Sequence, residues 1–442
     1  MKVAMLAPPW LPIPPRGYGG IERVVHSLVL HLAARNHEVH LFTVGESAAG
    51  IARDGVHVHH VFDSGHYGTI TGTLYDTVSI PVAHVLHALD VIARDSDFDI
   101  IHDHNGFIGP TACAHLDPRR FPPVLHTLHA PFTPHADVAA GEPDNRRAYE
   151  PLRETNGLWF NAISHAQHHD APLPLRRRML GVVHNGIELE DIRFDPRDDG
   201  YFLTLARICR DKNQGLAAQI CRELGERLVI AGAVDGTGTP EGVAARVDAL
   251  RLDPSADHPD VRYYIDAVAP YLEPGRIDFL GNVDGARKLD LVHGARALLF
   301  PIDWEEPFGV AVVEALASGT PVVAMRRGAM PELIEHGVNG FLADDAEAFT
   351  RYMLRVGEID PAACRRSVER RFTARHMVDG YLALYGEAIE RSTARTATPR
   401  IATSSFLDNG HGAVRHGDTP ATLEDLHVRD LQAPKPVGHV RH

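Results

Sequence analysis

The sequence lacks paired cysteines, a long apolar run and an excess of positive charge. Its four cysteines are scattered with no CxxC spacing, which argues against a disulfide or zinc framework and is typical of core residues in a reducing compartment. The net charge is −14, from 44 basic and 58 acidic residues, which argues against a general nucleic-acid or anionic-membrane binder. Any anion site must therefore be local. The cysteines are Cys113, Cys209, Cys221 and Cys364.

No segment has the pattern of a targeting or membrane-spanning element. The apolar start, residues 1–8, is too short for a secretion signal, and no later run approaches the length of a membrane span. We therefore expect a cytoplasmic protein. With 442 residues, of which 44% are hydrophobic and 23% charged, the chain has the size of two domains with full cores.

The first part of the chain has the pattern of a doubly wound α/β domain. A buried strand over 3–7 leads into a loop that ends Gly17-Tyr18-Gly19-Gly20, and a helix with one apolar face follows over 21–32. A glycine loop between a strand and a helix is where such sheets hold a phosphate. Glu22 stands where the dinucleotide fingerprint needs its third glycine, so that fingerprint is absent. A plain turn stays the alternative.

Polar residues end several predicted strands of this first part, and parallel sheets bind ligands at the carboxyl ends of their strands. The pairs His102/His104 and His126/His129 could ligate a metal, but their spacing indicates no further ligands, so no metal site is predicted. The acidic DxD pattern at residues 95–97 precedes a strand, and we interpret it as solvated carboxylates. The residues at predicted strand ends are His104, His129, Ser164 and Asn185, with strands predicted over 161–164 and 182–187.

A second α/β series follows a polar, turn-rich segment over 192–200, which we interpret as the linker between two domains. In this series Arg207 ends the strand predicted over 201–206, and Lys212 lies near the start of the next helix. Arginine offers a bidentate fork and lysine a point charge, which is a good pair for a diphosphate. Ordinary surface charge is the alternative for either residue alone.

The stretch from Trp304 to Gly319 organises the second series, because it joins two predicted strands through a loop and a short helix. The helix is predicted to begin at residues 307–309, so nearby backbone N–H groups should be free at a positive helix end that suits an anion. Glu306 before the helix and Glu314 within it can accept hydrogen bonds from sugar and ribose hydroxyls. A helix-end charge and a solvated glutamate are the alternative. The free amides are those of Phe308, Gly309 and Val310.

Together these motifs resemble the retaining, metal-independent glycosyltransferases of family four, which have the GT-B fold. Glu306 and Glu314 match the family's EPFG…E signature with seven residues between the carboxylates, and Arg207, Lys212 and the glycine loop occur in the family's order. The resemblance covers roughly residues 1–391. The opening residues are most similar to a bacterial branch that includes antibiotic-tailoring transferases. Further matching segments are 185–187, 279–283 and 331–341.

The resemblance implies a catalytic set of four residues that act on a nucleotide-diphosphate sugar. Arg207 and Lys212 would bind the donor diphosphate and neutralise the leaving group in place of a metal. Glu306 would contact the donor hexose, and His129 would lie near that hexose and the reaction centre. Further implied donor-binding residues are Glu314 for the ribose, Gly19 and Gly20 in the loop over the diphosphate, Val283 and Lys288 for the base, and the amides of Phe308, Gly309 and Val310.

The resemblance also implies an α/β architecture of two Rossmann-like, doubly wound domains facing a cleft. Residues 1–195 would form the acceptor-side domain, completed by a returning helix over 372–391, and residues 199–371 the donor domain. Residues 393–442 lose periodicity and are rich in Thr, Pro, Gly, His and charge, which predicts a disordered tail. No cofactor is expected, since the nucleotide sugar is a substrate.

The acceptor stays open among a sugar, a lipid-linked glycan and a small molecule, because the first-domain loops 62–73 and 131–147 carry no readable motif. No nucleic-acid partner is expected. The arginine runs at 146–147 and 176–178 are interpreted as solvated faces, with a peripheral membrane contact as the alternative. A sugar-nucleotide 2-epimerase, a non-catalytic sugar-nucleotide-binding protein and a phosphorylase-like enzyme are competing functions, which product analysis would separate.

Overall fold

Short apolar strands alternate with helices in the computed structural model of the chain. The structure describes residues 1–17, 19–69, 74–95, 97–132, 149, 152, 157–253 and 258–397. Within these ranges the strands form two sheets, one in each half of the chain, and neighbouring strands pair in parallel. Parallel strands joined by helices have both faces covered, which explains why their sequences are continuous apolar runs.

The first sheet has the strand order β3-β2-β1-β4-β5-β6-β7. All residues of β4, β5 and β6 are buried, as central strands of a doubly wound sheet require. The strands are β1 (Lys2–Leu6), β2 (Glu38–Phe42), β3 (Val56–His59), β4 (Ile100–Asp103), β5 (Val124–Thr127), β6 (Leu158–Ala162) and β7 (Met179–Val182). The described helices of this half are α1 (Gly20–Ala34), α2 (Ala48–Ile51), α3 (Leu74–Arg94), α4 (Ile108–Cys113), α5 (His165–Asp170) and α6 (Leu173–Arg176).

The second sheet has the strand order β10-β9-β8-β11-β12-β13. The strands are β8 (Tyr201–Leu205), β9 (Leu228–Ala231), β10 (Ile277–Phe279), β11 (Ala295–Phe300), β12 (Val322–Met325) and β13 (Gly340–Ala343). The helices are α7 (Gln214–Leu224), α8 (Pro240–Leu252), α9 (Pro259–Tyr263), α10 (Gly285–Gly294), α11 (Val310–Ser318), α12 (Met330–Leu333), α13 (Ala346–Met353) and α14 (Pro361–Glu369). The two sheets confirm the predicted pair of Rossmann-like, doubly wound units.

The last described helix, α15 (Ala374–Ala397), packs back on the first sheet. Tyr381 and Tyr385 of this helix are completely buried in the core of the first half. The helix begins two residues later than predicted and continues six residues further, so residues 393–397 of the predicted tail are helical. An i,i+4 ion pair between Glu387 and Arg391, and a hydrogen bond from the Trp159 indole to the Ser392 hydroxyl, hold this extension. Residues 398–442 lie outside the described residues.

Two strands of the first sheet begin and end earlier than predicted. The predictions over 161–164 and 182–187 correspond to β6 and β7, which end at Ala162 and Val182. Ser164 instead caps α5, because its hydroxyl accepts the backbone N–H of Gln167. The chain after β7 leaves the sheet, and Ile187 pairs with Thr373 just before α15.

The arginine run at 176–178 is not the uniformly solvated face that the sequence predicted. Arg178 is buried, its guanidinium donates to the Leu158 carbonyl at 2.6 Å, and it lies over the Trp159 ring. Arg176 donates to the carbonyl of Ala171, which leaves Arg177 as the exposed member. The run at 146–147 lies outside the described residues. Within the described ranges, no helix combines the length and apolar character needed to cross a bilayer.

Candidate active site

A cavity of about 480 Å³ opens between the carboxyl ends of the two sets of strands. Its walls come from the segments that follow β1, β3, β5, β6 and β7 in the first half and β8, β9, β10 and β11 in the second. Every predicted site residue lines this cavity except Gly19, which immediately precedes the lining residue Gly20. The lining site residues are Gly20, His129, Arg207, Lys212, Val283, Lys288, Glu306, Phe308, Gly309, Val310 and Glu314.

The Lys212 ammonium group is held by a carboxylate and an aromatic ring. Lys212 forms an ion pair with Glu306, whose carboxylate also accepts the Trp304 indole N–H at 2.9 Å. The ammonium nitrogen lies 4.6 Å from the centre of the Trp304 ring. The Lys212 and Glu306 side chains are only 16% and 11% exposed, so each charge depends on the other for its stabilisation.

Arg207 is held by a carboxylate that the sequence reasoning missed. Its guanidinium donates to Asp260 at 2.8 Å, and the side chain of Gln214 donates to the Arg207 backbone carbonyl. The Asp260 side chain is 11% exposed and the Arg207 side chain 38%, so the pair fixes the guanidinium while leaving part of it accessible. Asp260 is the second residue of the short helix α9, 53 residues after Arg207 along the chain, and no motif in the sequence points to it.

Lys288 and Glu314 form a third ion pair, between the facing helices α10 and α11. The Lys288 ammonium donates to the Glu314 carboxylate at 2.6 Å, and the two side chains are 14% and 13% exposed. The resemblance assigned these residues to the base and to the ribose separately. The structure brings them into direct contact, so the cavity presents three cations that each have a carboxylate partner.

The start of α11 presents free backbone amides to the same cavity. Gly309 precedes the helix with φ 100°, a conformation that favours glycine, and the N–H groups of Phe308, Gly309 and Val310 have no hydrogen-bond partner among the described residues. A Cβ on Gly309 would stand 2.9 Å from the Met330 methyl group. The helix dipole adds partial positive charge at this end. The amides at this helix start are therefore free within the described part of the chain, as the sequence predicted, and the binding of an anion there stays a prediction.

The glycine loop before α1 spans the cavity toward the second half of the chain. Gly19 has φ 146°, and a Cβ there would lie 2.7 Å from the Pro15 ring. A Cβ on Gly17 would lie 3.2 Å from the Asn282 amide and 3.3 Å from the Asp284 carboxylate. The absence of side chains therefore lets this loop approach both its own neighbours and the opposite wall.

Glu22, at the start of α1, is a buried carboxyl group that lines the cavity. Burial raises the pKa of Glu22 to about 7. Near neutral pH this carboxyl group is therefore partly protonated, and it can donate a hydrogen bond as well as accept one. The sequence reasoning noted Glu22 only as a missing glycine. Its position two residues after Gly20 is the signal that could have placed it in the site.

His129 and His104 form a hydrogen-bonded pair at the ends of the neighbouring strands β5 and β4. The distance from His104 Nδ1 to His129 Nε2 is 2.8 Å, and the two rings stack. Burial, with a smaller contribution from the nearby His126 ring, lowers the pKa of His129 to about 3, and burial lowers that of His104 well below its usual value. Both rings are therefore neutral, and only His129 of the pair lines the cavity.

The other two histidines of this cluster are held within the first half. His126 contacts the Asp103 carboxylate at 2.5 Å. His102 lies between the hydroxyl groups of Tyr385 and Thr127, at 2.7 Å from each. Of the remaining strand-end residues, Asn185 lines the cavity, whereas Ser164 serves as the cap of α5. His104 is thus the histidine of this cluster that contacts the His129 ring.

Two family models match the chain, one on each half. The model described as Glycosyltransferase Family 4 matches residues 18–191, and the model described as Glycosyl transferases group 1 matches residues 188–369. The second match contains Arg207, Lys212, Glu306 and Glu314, and the first contains Gly19, Gly20 and His129.

Curated relatives of similar length share about a quarter of the sequence. The D-inositol 3-phosphate glycosyltransferase of Mycolicibacterium smegmatis is 27% identical over 410 residues, which cover 86% of this chain and 89% of the relative. The enzyme of the same name from Mycolicibacterium vanbaalenii is 28% identical over 408 residues, covering 85% and 87%.

Solved structures show the fold of the chain. A sucrose-phosphate synthase from Thermosynechococcus elongatus superposes with a TM-score of 0.67 at 17% identity, covering 88% of this chain and 99% of that one. Anabaena Alr3699/HepE in complex with UDP and glucose gives 0.60 at 17% identity, covering 88% and 100%. AviGT4, a glycosyltransferase involved in avilamycin A biosynthesis, gives 0.56 at 22% identity, covering 88% and 98%. These likenesses confirm the predicted GT-B fold.

Proposed function

Because this chain is a glycosyltransferase of the GT-B fold and of the family-four type, we propose that it transfers a hexosyl group from a nucleotide-diphosphate sugar with retention of anomeric configuration and without a metal ion. The observation that carries the proposal is the convergence of Arg207, Lys212, Glu306 and Glu314 on one cavity that also receives free helix-end amides. A donor of this class offers a diphosphate for the cations and amides and hydroxyl groups for the carboxylates.

Donor binding is an exchange of partners in this site. The diphosphate takes hydrogen bonds from Arg207, Lys212 and the amides at the start of α11. As Lys212 turns to a phosphate oxygen, the Glu306 carboxylate is released to accept hydrogen bonds from the hexose hydroxyls. Glu314 in the same way accepts the ribose hydroxyls, while Lys288 and Val283 face the base. The ion pairs between cations and carboxylates thus keep both sets of groups oriented and charged before the donor arrives.

The reaction breaks the bond between the anomeric carbon and the diphosphate oxygen and forms a bond to the acceptor oxygen on the same face. The acceptor proton passes to the departing diphosphate oxygen, so atoms and charges balance without a covalent enzyme intermediate. Negative charge develops on the diphosphate, where Arg207, Lys212 and the helix-end amides can stabilise it. These groups supply the charge that a metal ion provides in other transferases. Glu306 binds the hexose and does not act as a nucleophile.

A polyol or sugar hydroxyl is the acceptor that we propose. The first-half wall carries the aromatic residues Trp10 and Tyr67, the buried carboxyl group of Glu22 and the cation Arg23. Aromatic faces and carboxyl groups suit a carbohydrate-like ring, and the guanidinium of Arg23 can donate hydrogen bonds to a phosphate on that ring. D-inositol 3-phosphate is the first acceptor to test, since the relatives described above are named for it. Uncharged sugars and lipid-linked glycans are the next.

A donor panel tests the first part of the proposal. UDP-, GDP-, ADP- and TDP-sugars are compared by thermal shift and by slow donor hydrolysis in the presence of EDTA. A donor that binds the native state raises its melting temperature. We expect one nucleotide to do so, with hydrolysis unaffected by EDTA. The absence of stabilisation by any nucleotide would overturn the donor site, and loss of hydrolysis in EDTA that Mg²⁺ restores would overturn metal independence.

Product analysis with the best donor tests the remainder. The protein is incubated with D-inositol 3-phosphate, free myo-inositol or simple sugars, and the anomeric configuration of the product is read from its proton NMR coupling. Retention and a new glycosidic bond are the expected results. A rearranged free sugar would indicate a 2-epimerase, and inversion would refute the same-face reaction. Binding without any turnover across all acceptors would favour a sugar-nucleotide-binding protein.

A further inference from the structure

A cluster of histidine and glutamate side chains lies on the outer strands of the first sheet, apart from the residues that line the cavity. β3 and β2 are the two strands at one end of this sheet. The parallel register places His40 beside His57 and Phe42 beside His59. Glu38 lies two residues before His40 on β2, so it shares the same face of the sheet. Four potential ligand side chains therefore project from one face of two adjacent strands.

Three of these side chains already converge on one point. His40 Nε2 is 2.8 Å and His57 Nε2 is 3.6 Å from the same carboxylate oxygen of Glu38. One ligand atom from each of the three residues lies within 4.8 Å of the other two. The centres of the His40 and His57 rings are 4.6 Å apart. Two imidazole nitrogens and one carboxylate oxygen are a ligand set that divalent first-row transition metals favour.

A fourth residue, His59, contacts the ring nitrogen of His40 that does not face Glu38. His59 Nε2 lies 2.9 Å from Nδ1 of His40, and the His59 ring stacks on Phe42. In the metal-free site His40 Nε2 donates its N–H to the Glu38 carboxylate at 2.8 Å, and a metal ion would displace this proton. When a metal ion occupies Nε2 of His40, the Nδ1–H of His40 can donate a hydrogen bond to His59 Nε2. Metal-ligating histidines are oriented in this way by their second ring nitrogen.

The surroundings leave the cluster accessible. The Glu38 and His57 side chains are 46% and 52% exposed, and His40 is 12% exposed. Lys2 is the nearest cation, 3.9 Å from the Glu38 carboxylate, but its ammonium is paired with Asp95 at 2.5 Å. The Asp95 carboxylate thus offsets the charge of Lys2, which would otherwise weaken the attraction of a cation.

We propose that Glu38, His40 and His57 form a binding site for a divalent transition metal of the zinc class, with the remaining coordination position open to water. The ion would join β2 to β3 and so stabilise the outer strand of the first sheet. This site is independent of the proposed sugar transfer.

A second group, His165, His184 and Glu332, has similar spacing but is a weaker candidate. The two carboxylate oxygens of Glu332 already accept the backbone N–H groups of His165 and Ala166, and one of them also contacts His184 Nε2 at 2.7 Å. A metal ion there would have to displace contacts that hold the end of α5. The Glu38 carboxylate has no such backbone donors among the described residues.

The experiment measures metal binding by the full chain without an affinity tag. Zn²⁺ is titrated calorimetrically, and Co²⁺ is titrated while its visible absorption reports coordination by the protein. Both are repeated with His57→Gln and Glu38→Gln, and with His115→Gln as an exposed control. We expect the two cluster variants to lose one binding equivalent or to bind at least about tenfold more weakly, because even outer partners of a metal site contribute about 10–100-fold. The control should bind as the original protein does.

Two further readouts separate metal binding from folding and from catalysis. His57 is exposed on an outer strand, so its variant should keep the melting temperature of the metal-free protein and lose only the increase caused by Zn²⁺. Donor hydrolysis should be equal in all variants. Equal zinc stoichiometry and affinity in the original protein and both cluster variants would overturn the proposal, and so would the absence of any binding. Zinc binding that disappears only with His184→Gln would assign the ion to the second group.

Discussion

The two walls of the cavity are built on sheets of the same kind, but they differ in how many charged side chains they present. The second-half wall carries Arg207, Lys212 and Lys288, and each cation has its own carboxylate. The first-half wall carries His129, which is neutral and is held by His104 through a single hydrogen bond. The same strand ends therefore serve as a surface of paired charges on one side and, on the other, as a polar surface on which Arg23 is the one cation among the described lining residues.

This difference suggests how the work is divided. A diphosphate needs several cations, and cations kept in a partly buried cavity need carboxylates to hold them there. The ring of a sugar or polyol needs hydrogen bonds of moderate strength and apolar contact. We therefore expect changes on the second-half wall to affect turnover far more than changes on the first-half wall.

The largest expected effect is that of Arg207→Ala or Lys212→Ala on turnover. Each charge-assisted hydrogen bond contributes about 1.5–3 kcal/mol, so losing one or two to the leaving group should lower kcat/KM about 10–10⁴-fold. The measurement is donor hydrolysis or transfer at equal protein concentration, with the melting temperature recorded for each variant.

Arg287→Ala is the matched control, because this exposed arginine precedes Lys288 on α10 without lining the cavity. It should keep normal turnover. Near-normal turnover in the Arg207 or Lys212 variant would contradict the proposed difference between the walls, since the cations of the second-half wall would then contribute little to turnover.

The next effect concerns stability and sharpens the description of the first-half wall. The pKa of Glu22 is about 7 in the folded chain, above its unfolded value, so the protonated form is favoured on folding. Ionisation of Glu22 therefore destabilises the fold progressively as pH rises from about 4.5 to about 7. Glu22→Gln removes this penalty and should gain about 3 kcal/mol of unfolding free energy above pH 7, with little gain at pH 4.5.

Denaturant unfolding at several pH values measures this gain, and Glu46→Gln, which changes an exposed carboxyl group, is its control. A constant difference across the pH range would show that Glu22 is not a buried carboxyl group of raised pKa. A gain only at high pH would support the description of Glu22 as a buried carboxyl group of raised pKa on the first-half wall.

The smallest effect is expected for His129→Ala. A neutral hydrogen bond contributes about 0.5–1.5 kcal/mol, so kcat/KM should fall only about 2–10-fold. Because His129 is neutral at ordinary pH, the remaining activity should keep the pH profile of the original protein. His115→Ala is the exposed control. A loss as large as that of Arg207→Ala would place the catalytic weight on both walls and remove the contrast between them.

The charged residues of the second-half wall could be predicted from the sequence, whereas the ion pairs that they form could not. Arg207, Lys212, Glu306 and Glu314 stand at fixed places beside predicted strands and helices, so pattern and resemblance together find them. The pairs Arg207–Asp260 and Lys288–Glu314 join distant segments. They depend on how α9, α10 and α11 pack above the sheet, which no local pattern specifies.

The first-half wall was harder to predict for a related reason. The strand ends His104 and His129 were found, but their hydrogen bond depends on β4 lying beside β5. Ser164 was predicted at a strand end where ligands bind, but in the structure it caps helix α5. The cluster of Glu38, His40 and His57 was not predicted from the sequence. Alternating polar residues are common on the outer strands of a sheet, and only the register of β2 and β3 makes these three neighbours.

The returning helix α15 also bears on the order in which the chain acquires its structure during synthesis. Tyr381 and Tyr385 fill the core of the first half, so that core is incomplete until the middle of α15 has left the ribosome. The strands of the second half lie between residues 201 and 343, within one uninterrupted segment. We therefore expect the second half to become resistant to protease first. The first half, although it is translated earliest, should become resistant only after α15 has been translated.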